Sequence, residues 1–432
     1  MFRSGALTLG AVLMLGGVSG VQGQELSAVD TAVAPSFVGV LPNLPQNWSD
    51  LPLQLKVSQA VGYDSNLLNT PTQTGALASN LLIGLHPIAA FESISNYGAS
   101  TKWYIGGDQF FADGSLGWNR YLNHTNFNTQ HNSADFGVNW IYGSKCTGQL
   151  IASEQTAESL PGQQVSVNAI NSLTTVAFNE TSKCAVTGNY AAIFNFGTTT
   201  SSNSAAADQL NNFQSKFVAA GVTYTVSDTN SLQLLATVTG TNFTDRPISM
   251  NNLGLFSKFT EDQVNLSYNK QFDPNLSMVA SIGVVGIREG GFTLAPATGF
   301  VPDYSLSVTW SATPKLSIVA SLARSVAPPT NIVANLQVSE AARIGVTYQF
   351  TPKVTLAAGV NIENSTSSLT ATTINLLAQS QNERLYGAQA TVTYAMTPFL
   401  EASLSYQFTK TVQAGLTTPT SVSLLTVKYA PY

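Results

Sequence analysis

The chain has 432 residues, and only 9% are charged, against about 25% in an ordinary soluble domain. Its net charge is −5 with no basic patch, which argues against nucleic acid as a partner. Beyond the N-terminus there is no run of about 18 apolar residues, which argues against membrane-spanning helices. Low charge without long apolar runs fits a β-barrel with a lipid-facing exterior and an uncharged polar interior.

The chain opens MFRSGALTLGAVLMLGGVSGVQGQ. Arg3, an apolar stretch over 5–18 and the small residues Gly20 and Gly23 read as a secretory signal peptide over 1–23. The mature chain is then exported, and a barrel of this kind belongs in a Gram-negative outer membrane. Residues 24–52 include APSFVGVLPNLPQNW and show no periodicity. Pro35, Pro42 and Pro45 keep them extended, as a periplasmic N-terminal segment. Alternation begins at Leu53, and 53–432 is predicted to be one barrel.

Strands are expected near 53–63, 95–106, 109–122, 132–142, 145–156 and 168–180. They continue near 183–197, 213–226, 229–243, 259–272, 275–288 and 302–312. The last six are near 315–326, 337–350, 353–365, 382–396, 399–411 and 420–431. That gives an all-β, up-and-down antiparallel barrel of eighteen strands. Sixteen or twenty remain compatible, because 64–94 reads either as one long loop or as two more strands. QVNLSYNKQF (263–272) sets Val264, Leu266 and Tyr268 against Gln263, Asn265, Ser267 and Asn269. Period two over about ten residues is what a tilted strand needs to cross a bilayer.

One turn form recurs in QFDPNLS, SATPKLS, QFTPKVT and AMTPFLE, around Pro274, Pro314, Pro352 and Pro398. Proline presets a turn dihedral and cannot donate to a ladder. YGSKC (142–146), ETSKC (180–184) and VSDTN (226–230) read as cognate turns without proline. Longer polar connections are expected over 157–167, 198–212, 244–258, 289–301, 327–336, 366–381 and 412–419. Short periplasmic turns alternating with long outer loops are the plan of such barrels. The final strand, SLLTVKYAPY, alternates and closes on Tyr432, like the C-terminal signal read by the outer-membrane barrel-assembly machinery.

Cys146 and Cys184 each follow a predicted turn and open a strand, with one strand between. Two strand spacings are about 9–10 Å, beyond the Cα limit of about 7 Å for a disulfide. A bridge therefore needs slack at the turns; otherwise the two are equivalent small residues at the rim. Trp103, Tyr104, Trp118, Tyr121, Trp140, Tyr142, Tyr394 and Phe399 lie near strand ends and fit interfacial girdles.

The face predicted to line a pore is mostly neutral: Gln263, Asn265, Ser267, Asn269, Thr347, Gln349, Thr355, Asn361, Ser403, Ser405 and Gln407. Its expected charges are few: Asp113, Glu261, Arg343, Glu363 and Glu401. A pore selecting small ions displays rings of charge. Amides and hydroxyls suit hydroxyl-rich solutes such as sugars, although any water-filled barrel needs a polar lining. Catalysis is not expected. His124 and His131 share the stretch NHTNFNTQHN, read as a loop with no carboxylate or cysteine to complete a metal set. No serine–histidine–carboxylate arrangement stands out, and GIREGGF (286–292) reads as a loop rather than a phosphate-binding strand–helix junction. No cofactor or metal is implied.

VSQAVGYDSNLLNTP (57–71), with Tyr63, Asp64 and Asn66 as a Tyr-Asp-x-Asn step, resembles the first strand and loop of the EpsL-type β-barrel porin family of exopolysaccharide biosynthesis operons. QFFADGSLGWNRYLNHTNFNTQHNSADFGVNWIYGSKCTGQLIASEQT resembles the same family in its aromatic-Asn-Arg-Tyr strand and Asn-Trp strand end. The resemblance covers roughly 50–160. It implies an outer-membrane barrel that passes or helps export polysaccharide, with exopolysaccharide or periplasmic export components as partners beside the bilayer. No catalytic residue carries over. A general diffusion porin and a closed scaffolding barrel stay open as alternatives.

Overall fold

The computed structural model describes residues 53–66, 88–159, 171–206, 208–246, 257–289, 299–327, 336–368, 381–413 and 416–430. The proposed signal, the segment 24–52 and Tyr432 lie outside them. The strands are β1 (Gln54–Asp64), β2 (Ala90–Ile105), β3 (Asp108–Tyr121), β4 (Thr129–Tyr142), β5 (Cys146–Ser159) and β6 (Asn171–Ala185). Then come β7 (Tyr190–Asn203), β8 (Phe213–Ser227), β9 (Asn230–Phe243), β10 (Lys258–Asp273), β11 (Leu276–Glu289) and β12 (Gly299–Thr313). The last are β13 (Leu316–Ala327), β14 (Leu336–Thr351), β15 (Val354–Ser368), β16 (Gln381–Thr397), β17 (Leu400–Gln413) and β18 (Leu416–Tyr429).

Each strand pairs with its sequence neighbours, and β1 also pairs with β18, so the eighteen strands form one closed antiparallel barrel. The closing seam runs from Val57↔Tyr429 to Asp64↔Val422. β1 pairs with β2 along its whole length, from Gln54↔Ser100 to Asp64↔Ala90. No strand can stand between them, which settles the count at eighteen. No helix among the described residues is long and apolar enough to cross a membrane.

The proline turns fall where the sequence places them, and their chemistry is local. At each, the side chain before proline accepts a backbone N–H two residues on: Asp273 from Asn275 (2.6 Å), and Thr313, Thr351 and Thr397 from Lys315, Lys353 and Phe399 (3.2 Å each). All four hairpins carry a register shift just before the turn, at 271/273, 311/313, 349/351 and 395/397. Such bulges bend a strand and increase its twist. Gly106 and Gly143 have positive φ, 65° and 60°, in the β2–β3 and β4–β5 turns.

Several expected boundaries move. ETSKC is strand, and the chain turns instead over 186–189, where Gly188 and Asn189 supply turn residues that Ser-Lys does not. Cys184 therefore ends β6 rather than opening a strand. It stands directly opposite Cys146 on β5, Cα–Cα 4.1 Å, and the two are disulfide-bonded. Some outer connections are shorter than expected. β7 runs on to Asn203, and β17 and β18 are separated only by 414–415. His131 lies on β4 rather than in a loop, and 286–289 belong to β11.

The two strand faces differ sharply. On β10, Val264 and Leu266 are 48% and 46% exposed, and their row continues through Ile282 and Val284 on β11. Leu306, Leu322, Ile344, Val360, Val392, Leu404 and Leu425 carry exposed apolar side chains around the rest of the barrel. In water such a band would be unstable; in hydrocarbon it is the expected outer surface.

Two tests follow. Leu266→Arg should cost about 2–4 kcal/mol in equilibrium folding into bilayers, while Ser267→Arg on the opposite face should fold normally. Equal effects from the two would contradict this facing. Separately, Cys146 and Cys184 close a loop with a sequence separation of 38. A reductant should lower the stability of the detergent-purified barrel by about 2–4 kcal/mol on the chain-entropy account. An unchanged urea midpoint would show that the bridge adds nothing to the ladder beside it.

Candidate functional site

A closed sheet has one convex and one concave face, and short polar side chains two strands apart converge on the concave one. His131 on β4 lies 2.9 Å from Asn96 on β2, Nε2 to Oδ1, across Gly117 of β3. A Cβ at Gly117 would run into both side chains. Gln263 on β10 donates to Asp303 on β12, past Gly283 of β11. Carrying these parities through the register identifies the concave face of every strand.

Glu261, Gln263, Asn265, Ser267 and Asn269 share the concave face of β10. Ser267 stands opposite Ser281, and Ser281 opposite Ser305, with the last two hydroxyls 2.7 Å apart. On β14 and β15, Gln349 faces Thr355, Thr347 faces Ala357, and Arg343 faces Asn361. The Arg343 guanidinium is 3.8 Å from Glu363. On β16 and β17, Gln389, Thr391 and Thr393 face Gln407, Ser405 and Ser403, and Glu401 faces Lys428 of β18. Serine pairs recur elsewhere on this face: Ser115–Ser133 at 2.7 Å and Ser339–Ser365 at 2.8 Å. Gln109, Asn139 and Gln149 form a hydrogen-bonded amide row at 3.0 and 2.8 Å. The chemistry of this wall is donation and acceptance by neutral groups.

The structure also gathers charges that strand-by-strand reading left scattered. Lys56 on β1 interacts electrostatically with Asp113, Lys428 and Lys102. Asp113 stands directly opposite Asp135 of β4. With Glu401 beside Lys428, three lysines and three carboxylates meet on the wall from β17 to β4, and Asp64 and Glu92 share its face nearer the outer ends of β1 and β2. Asp113 and Glu401 were recognisable singly. Lys56, Lys102, Lys428 and Asp135 were missed, because each is a lone charge in its strand and only the register brings them together.

The expected aromatic girdle needs correction at two positions. Trp103, Trp118, Trp140 and Tyr394 lie on the convex face; Trp103 stacks on Phe110 with centroids 5.8 Å apart. Tyr104 shares the concave parity and its hydroxyl accepts from Gln109 at 2.6 Å. Tyr121 is 3% exposed and packs with Ala90 on the concave face. Nearness to a strand end predicts height, but parity decides the face. Among the described residues no group of three or more His, Cys, Asp or Glu is placed to hold a metal.

No curated protein matches the chain. Among solved structures, the FrpB iron transporter of Neisseria meningitidis (F3-3 variant) aligns at 10% identity and TM-score 0.46, covering 83% of this chain and 62% of FrpB. This chain thus spans less than two thirds of FrpB's length, and iron transport is ascribed to FrpB alone. OpdL of Pseudomonas aeruginosa aligns at 10% identity and TM-score 0.44, covering 88% of this chain and 99% of OpdL. OpdK from the same organism aligns at 12% identity and TM-score 0.44, covering 88% and 98%. Residues 281–428, from within β11 to near the end of β18, match the family model described as "Putative beta-barrel porin 2". The chain is a porin-like barrel whose fold and family match point to the bacterial outer membrane.

Proposed function

We propose that the concave face lines a water-filled lumen through which hydroxyl-rich, sugar-like solutes pass by diffusion, including segments of an exported exopolysaccharide. The observation that supports this is the composition of that face: Ser, Thr, Asn and Gln in cross-strand pairs, with lysines and an arginine placed among its carboxylates. Neutral donors and acceptors can exchange water for sugar hydroxyls at little electrostatic cost. Fixed rings of one sign would instead favour ions. The proposed lining residues are Asp113, Glu261, Gln263, Asn265, Ser267, Asn269, Arg343, Gln349, Glu363, Glu401, Ser403, Ser405 and Gln407. No covalent step or cofactor is required.

In the exported protein, residues 1–23 are removed as a signal peptide, 24–52 remain in the periplasm, and the barrel-assembly machinery inserts 53–432. A polysaccharide export assembly is the proposed partner. Its support is the resemblance of residues 57–71 and 109–156 to barrels of exopolysaccharide operons.

The refolded barrel should show steady single-channel conductance in a planar bilayer. Soluble neutral oligosaccharides should block it in a concentration-dependent way. Conductance indifferent to sugars would favour a general diffusion porin. A folded barrel without conductance would favour a closed scaffold.

A further inference from the structure

The convex face is apolar through its middle, but its outer edge is not. On β13 to β17 the outward parity carries Leu322, Ile344, Val360, Ile362 and Phe408, all exposed. Toward the outer ends of the same strands that parity changes character. Arg324 stands opposite Glu340, Glu340 opposite Asn364, and Asn364 opposite Arg384, in one row across four strands. Arg384 pairs in turn with Val412, and Lys410 lies diagonally from it on the same face of β17, opposite Tyr386.

The charges in this row do not balance. Arg324 Nη1 and Glu340 Oε1 are 2.7 Å apart, so those two answer each other. Arg384 and Lys410 are exposed, and among the described residues neither has a carboxylate in ion-pair contact. The neighbours of Arg384 across the strands are Asn364 and Val412, and those of Lys410 are Tyr386 and Pro419. Arg288, also convex near the outer end of β11, differs in being engaged by Asp262. Diagonal neighbours on a sheet face stand about 7–8 Å apart. Two long cationic side chains at that spacing repel each other unless an anion sits between them.

Position decides what that anion is. Nothing in the lumen reaches the convex face. One step from the row toward the short turns come Leu322, Ala342, Ile362 and Tyr386, in consecutive cross-strand pairs, with Ile344 and Val360 paired below them. A molecule seated on both levels carries acyl chains and an anionic headgroup. A guanidinium offers two parallel N–H donors that match phosphate oxygens. The Asn364 amide, between Glu340 and Arg384, can donate to and accept from a sugar hydroxyl.

We propose that Arg384 and Lys410, with Asn364 beside them, hold the phosphorylated headgroup of an outer-leaflet glycolipid whose acyl chains lie along the apolar rows of β13 to β16. This rests on the barrel's placement in the outer membrane and is independent of the solute in its lumen. Glu340 engages Arg324, which confines the anion to the β15–β17 end of the row.

Native mass spectrometry of the full-length refolded barrel in non-ionic detergent tests it, with diphosphoryl lipid A, fully dephosphorylated lipid A and phosphatidylglycerol as probes. Heat-modifiable gel mobility checks the folding of each variant. The parent should retain diphosphoryl lipid A, and the Arg384→Gln/Lys410→Gln double variant should bind it roughly thirtyfold more weakly. An Arg120→Gln/Lys216→Gln control removes two exposed convex cations that stand singly on β3 and β8, and should bind as the parent does. Equal losses in the two double variants would mean diffuse charge attraction and overturn the site. So would a parent that retains no lipid A, or that holds the dephosphorylated form as tightly. Phosphatidylglycerol bound as tightly, with the same dependence on Arg384 and Lys410, would overturn the glycolipid assignment. Single-channel conductance of the Arg384→Gln/Lys410→Gln variant should match the parent's, and a change would contradict the convex placement. A parent that holds the lipid but never conducts would defeat the open-channel reading and leave the lipid site standing.

Discussion

Everything in this barrel depends on the pairing of β1 with β18. Hydrocarbon offers no water to an unpaired N–H or C=O, so a spanning sheet must have no free edge. The seam joins the two ends of the chain and aligns Val57–Asp64 with Val422–Tyr429. It is shorter than the β1–β2 interface on the other side of the same strand. Closure also creates the concave face, because an open sheet with these strands would have no interior in which polar side chains could meet.

Once closure is given, period two does the sorting. A single parity carries Val264, Leu266 and Tyr268 outward and Gln263, Asn265 and Ser267 inward. The register then extends that choice around the barrel. The four Thr-Pro or Asp-Pro turns, each with its bulge one step earlier, act as repeated hairpin units that hold register locally. On β5 and β6, where the turn of the next hairpin is longer, the Cys146–Cys184 bridge ties neighbouring strands near the short-turn end.

Much of this was readable from the residues alone, and the reason is locality. Alternation and the Asp273, Thr313, Thr351 and Thr397 turns are encoded within a few residues. The eighteen strands and the facing of β10 therefore follow without any long-range knowledge. The errors also have a local cause. Ser182-Lys183 looks like turn residues in other hairpins, but the stronger signal is Gly188-Asn189, and misplacing that turn set the cysteines two strands apart. The charge network around Lys56 could not be read in advance, because Lys428 and Asp113 reach it only through register across the seam.

The central claim is that the polar concave face encloses water while the apolar convex face meets lipid. Nitroxide labels placed singly along 263–268 in the bilayer-inserted barrel test it most directly. The account predicts that labels at 263, 265 and 267 are relaxed by a water-soluble nickel complex. Labels at 264, 266 and 268 should instead be relaxed by oxygen dissolved in lipid. Loss of that alternation, or its reversal, would contradict the account.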